Sequence, residues 1–78
     1  MAKEIQYKDG KIKSHPNKLK ETPEFSPSGI IQYSVNGEIR EATVGKLNIP
    51  DDEWICHSEA EADEVFVRHA KVWIDNNL

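Results

Sequence analysis

The chain has 78 residues, 37% of them hydrophobic and 31% charged, with a net charge of −4; this composition points to one small soluble globular domain and is too short for two. No apolar run approaches the roughly 18 residues of a membrane span. The charged opening MAKEIQYKDGKIK lacks the apolar stretch of a secretory signal, which leaves the cytoplasm as the expected compartment. Cys56 is the single cysteine, which excludes an internal disulfide and the paired thiols of a structural zinc site.

The total charge conceals two halves of opposite sign. Residues 1–20 hold six lysines against Glu4 and Asp9, for +4, whereas the other 58 residues sum to −8 and place seven acids between Asp51 and Glu64. A domain of this size sits near the limit at which one apolar core outweighs chain entropy, so a partner or a second subunit is a natural source of further burial.

In chain order, EIQYKDGKIKS predicts a hairpin of strands near 4–8 and 11–14. Asp9-Gly10 is a favoured pair for a two-residue turn. That register sets Tyr7 opposite Ile12 and Ile5 opposite Ser14, and leaves Gln6, Lys8, Lys11 and Lys13 as a lysine-rich solvent face. Residues 15–28 contain Pro16, Pro23 and Pro27, which remove backbone donors and predict a loop or linker, either mobile or tacked down by Leu19 and Phe25.

Two β-rich runs then flank Asn36-Gly37, predicting strands near 30–35 and 38–44. A two-residue turn would set Tyr33 against Arg40 and mix apolar with charged side chains. A three-residue loop over Val35, Asn36 and Gly37, with Gly37 left-handed, pairs Tyr33 with Ile39 and is the expected register. After a connection ending in Pro50-Asp51-Asp52, residues 54–57 predict a short strand.

The remaining stretch, about 59–76, predicts an uninterrupted amphipathic helix. A wheel puts Ala62, Val65, Phe66, His69 and Trp73 on the core face. Glu64 with Arg68 and Lys71 with Asp75 fall at i, i+4 on the outer face. The expected fold is α+β: a small antiparallel, hairpin-built β-sheet with this one C-terminal helix packed on one face, forming a single domain over 1–78.

Within that frame the run Cys56-His57-Ser58 looks like chemistry. Ser58 stands three residues before Glu61, the capping-box spacing, in which the hydroxyl accepts from a first-turn N–H and the Glu reaches back to the cap's own N–H. On a strand Cys56 and His57 point to opposite faces, so they do not form a thiol and its base. A metal site joining Cys56 or His57 to His15 and His69 is enforced by no spacing. His69 is read as a mostly buried neutral imidazole bonded to a neighbour, with a pH-sensitive contact as the alternative. No catalytic residue, metal ligand or cofactor is assigned, and the chain is expected not to be an enzyme.

The function expected is non-enzymatic binding or regulation through contact with another macromolecule, by a protein partner or self-association. Size and composition also resemble those of small accessory or phage-encoded regulators. Val67 and Ile74 lie on a helix flank roughly 120° from the predicted core stripe, so they are read, with Asp63 and Glu64, as the contact surface. A basic partner would suit those carboxylates. The alternative is nucleic-acid binding through Lys8, Lys11 and Lys13, with a solvated lysine edge that blunts strand pairing as the plain reading of the same residues. No membrane contact and no small-molecule substrate are inferred.

Overall fold

The structure is a computed structural model that describes residues 3–43 and 49–78. The strands are β1 (Lys3–Tyr7), β2 (Gly10–Ser14), β3 (Asn17–Lys18), β4 (Phe25–Ser26), β5 (Gly29–Val35) and β6 (Glu38–Thr43). A short 3-10 helix over Asp51–Glu53 precedes the single α-helix, α1 (Glu59–Asn77). The fold is α+β. Strands in the order β1-β2-β5-β6 make one antiparallel sheet, β3 and β4 make a second, two-stranded one, and α1 packs on β1, β2 and β4.

Both hairpins form, but each in a register other than the expected one. In the first, Ile5 opposes Ile12 and Tyr7 opposes Gly10, so the turn is Lys8-Asp9, with Lys8 at φ 52. The reason lies under the helix. A Cβ on Gly10 would stand 2.8 Å from Ile74 Cδ1, so Gly10 is needed in the strand, where its missing side chain admits α1, rather than in the turn. The slip is by two residues, so Ile5, Tyr7 and Ile12 keep their common face.

In the second hairpin Tyr33 opposes Arg40 and Ile39 opposes Ser34. Asn36 at φ 53 and Gly37 at φ 85 form the two-residue turn whose twist matches that of the flanking strands. Turn chemistry overrides the face pattern here because little is buried at this end. Arg40 is exposed and bonds Glu38 at 3.2 Å, and Ile39 is 71% exposed on the opposite face. Val44, assigned to this strand from sequence, lies outside the described residues, as does the connection over 45–48.

The proline-bearing segment holds β3 and β4, joined at Asn17 with Ser26 and Lys18 with Phe25. His15 N–H donates to Ser28 O at 2.8 Å, and Leu19 and Phe25 are half-buried. The expected strand at 54–57 is only an isolated bridge: Cys56 and Phe25 exchange N–H···O bonds of 2.7 and 2.8 Å. Pro27, which has no N–H to donate, closes β4 after Ser26 and limits the ladder available to Cys56.

The core is Ile12, Ile31, Ile49, Phe66, Val67, Ala70 and Ile74, with Ile5, Tyr7, Tyr33, Trp54, Val65 and Trp73 packed around it. Gly29 lies beneath Phe66, where a Cβ would meet the ring at 2.7 Å and Lys13 O at 2.2 Å. Gly10 and Gly29 are thus two notches in the sheet that seat Ile74 and Phe66. Ala62 and Ala70, both fully buried, let the helix backbone settle close to them.

Candidate functional site

The burial of α1 corrects the surface expected from sequence. Ile74 is fully buried and Val67 is 7% exposed, so the flank read as a contact stripe is core. Asp63 is buried too, and its Oδ1 accepts a 2.5 Å hydrogen bond from the fully buried Ser14 hydroxyl. Of the four expected contact residues, Glu64 alone is exposed. The helix is rolled toward Val67, Ala70 and Ile74, leaving Val65, His69 and Trp73 half-buried at its flank. Burying two aliphatic side chains is worth about 1.5–3 kcal/mol each. Burying the imidazole would instead cost desolvation of a polar ring.

The same roll rewires the helix's charges. Neither expected i, i+4 pair is present. Arg68 bonds the Glu53 carboxylate of the 3-10 helix, and the other oxygen of that carboxylate lies 3.1 Å from His69 Nε2. Asp75 is taken by the Lys8 ammonium and by the Tyr7 hydroxyl, which donates at 3.1 Å. The hydrogen bond from Lys8 holds the Asp75 carboxyl below its ordinary pKa, helped by that from Tyr7, and Asp75 in turn raises Lys8.

Ser58 is the helix cap: its backbone is extended and its Oγ accepts from Glu61 N–H at 3.1 Å. The reciprocal bond differs from expectation by one residue, since Glu61 Oε2 accepts from His57 N–H at 3.0 Å rather than from the cap's own N–H. Cys56 is 1% exposed, and burial, with the nearby Glu61 and Glu53 carboxylates, pushes its thiol pKa up. The reactive form of a cysteine is the thiolate, which this environment disfavours. The His57 side chain is 80% exposed and lies 3.8 Å from the Glu24 carboxylate. Among the described residues no three His, Cys, Asp or Glu side chains cluster as a metal site.

The lysines expected to meet nucleic acid are dispersed. Lys8 sits in the first turn with Asp75, and Lys11 bonds Glu4 at 3.3 Å. Lys11 and Lys13 lie on β2, an interior strand, so they form no sheet edge.

What the fold builds instead is an open groove of about 760 Å³ between α1 and β1, lined by Ile5 and by Ala60, Glu64, Val67, Arg68, Lys71, Val72 and Asp75 of the helix. β1 ends the sheet on this side, so its outer backbone groups have no strand partner among the described residues. Val72 is 51% exposed. Glu64 and Lys71 form no ion pair among the described residues; the Lys71 ammonium stands 5.4 Å from the centre of the Tyr7 ring. Sequence reasoning named Glu64 and Val67 of this surface but missed its β1 side and Val72. The signal that could have found them is Gly10, which fixes how α1 lies on β1 and β2.

Comparison with protein-family models, with curated proteins and with solved structures finds no match. No helix among the described residues is long and apolar enough to cross a membrane.

Proposed function

We propose that this protein is a non-enzymatic binding module that contacts another polypeptide along the β1 edge and the adjoining groove. The observation that carries this reading is the juxtaposition of a free strand edge with a groove that holds exposed apolar surface and two charges without ion-pair partners. A free edge offers main-chain hydrogen bonds to an added strand, and the groove beside it offers places for that strand's side chains. Nucleic-acid binding has less support, because Lys8 and Lys11 already spend their charge on Asp75 and Glu4.

A photo-crosslinking amino acid placed at Val72 in the full chain tests the reading. Irradiation in a cell extract is expected to give protein adducts that excess unlabelled protein competes away. The adducts should vanish when Glu64→Lys and Lys71→Glu are each introduced beside the probe. Adducts to nucleic acid alone, or none at all, would overturn it.

A further inference from the structure

Resting on that reading, we propose that the polypeptide taken by the groove is a second copy of this chain, docked about a two-fold axis that joins β1 to β1 and sets the two α1 helices antiparallel. β1 and α1 run in the same direction: Ile5 shares the groove with Val67, while Tyr7 and Lys8 at the end of β1 reach Asp75 near the end of the helix. A two-fold axis normal to the sheet that pairs the β1 edges antiparallel therefore also places the helices antiparallel across the groove.

The helix wall is built to meet itself in that arrangement. Six of its seven residues, Ala60, Glu64, Val67, Arg68, Lys71 and Asp75, are spaced symmetrically about the midpoint between Val67 and Arg68; Val72 stands outside this symmetry, its counterpart being the buried Asp63. Turning one helix about that midpoint sets Glu64 opposite the partner's Lys71, and Lys71 opposite the partner's Glu64. These are the two groove charges left without ion-pair partners among the described residues. Arg68, nearest the axis, is already neutralised by Glu53, so its approach to its symmetry mate is not an unscreened repulsion. Ala60, small and exposed, comes opposite Asp75.

The contact closes on itself. It pairs the β1 edge of each copy with that of the other and continues the sheet from four strands to eight, with β6 at each outer end. Binding energy comes from the apolar surface of Ile5 and Val72 leaving water. The reciprocal charges fix the register and exclude others. A domain this short also gains the burial it has little chain to supply internally.

The test is sedimentation velocity on the full chain and its charge variants, with circular dichroism to check the fold. The wild type is expected to sediment with twice the 8.9 kDa chain mass. Glu64→Lys and Lys71→Glu, each of which makes two like-charge contacts per dimer, should each weaken association on the order of tenfold or more. The double variant, which restores opposite charges across the axis, should recover the dimer. A dimer insensitive to both single variants, or singles that dissociate without recovery in the double, would overturn the proposal. A monomeric wild type that still gives competable Val72 adducts with a different polypeptide would overturn the dimer and leave the binding reading standing. A monomer that gives no adducts would remove both.

Discussion

At the scale of single residues, the sequence announced caps better than partners. Ser58 was legible because the N-cap depends on residue spacing along the chain, which the sequence prints directly. The partners of Arg68 and Asp75 were not, since both left their helical neighbours for groups 15 and 67 residues away. Such competition is decided by the roll of α1, a tertiary quantity. The Asp75 contact carries a pH signature whose sign follows from the shifts. Its carboxyl is lowered in the folded state, so the contact contributes stability above the ordinary carboxylate value and loses it as pH falls through the folded value. Lys8 is raised, so its contribution is complete below its ordinary value and is lost as pH rises through the folded one. A carboxyl-carbon NMR titration should find Asp75 titrating below the ordinary aspartate value. Lys8→Gln should move that midpoint up, though Tyr7 will retain part of the depression. A midpoint indifferent to Lys8 would mean the contact is absent in solution.

At the scale of elements, existence and type were legible for both main hairpins and the helix, while register and roll were not. Alternation and turn-pair signals reveal that a strand turns back but leave the register open: the first hairpin keeps a two-residue turn shifted from Asp9-Gly10 to Lys8-Asp9, and the second has a two-residue turn in place of the expected three-residue loop. What decided the first hairpin was the approach of Ile74 to Gly10, between residues 64 apart. The two glycines accordingly have distinct expected costs. At Gly10 the obstacle to an added methyl is the end of a side chain, Ile74 Cδ1 at 2.8 Å, so Gly10→Ala should cost about 1–3 kcal/mol as ordinary overpacking. At Gly29 the obstacle is backbone, Lys13 O at 2.2 Å, together with the Phe66 ring. Neither can step aside without parting β2 from β5 or lifting the helix. Gly29→Ala should therefore be the more damaging, and urea titrations that rank the two the other way would contradict the notched seat of α1.

At the scale of the whole molecule, burial is unevenly shared, and the extents of 44 × 23 × 16 Å describe an elongated body. β2 lies between two strands and beneath the helix, with Gly10, Ile12 and Ser14 buried. β6 has no buried residue among its six, and its turn at Asn36-Gly37 is exposed. This division was hidden from the sequence, because Ile39 read as a partner of Tyr33 on one face until the two-residue turn set it on the other. Local opening costs little where few apolar contacts must be broken. Native-state hydrogen exchange should thus separate two classes of amide. Those of β2, of the β5 residues paired with it, and of the middle of α1 should exchange only with global unfolding and share one free energy and one steep denaturant dependence. The amides of β6 that bond β5, and those of β5 from Ser34 onward, should exchange through a smaller opening, at lower free energy and with a shallow denaturant slope. If β6 exchanged with the same free energy and slope as β2, the sheet would open as one unit, and this hairpin would need a cover that the described contacts do not supply.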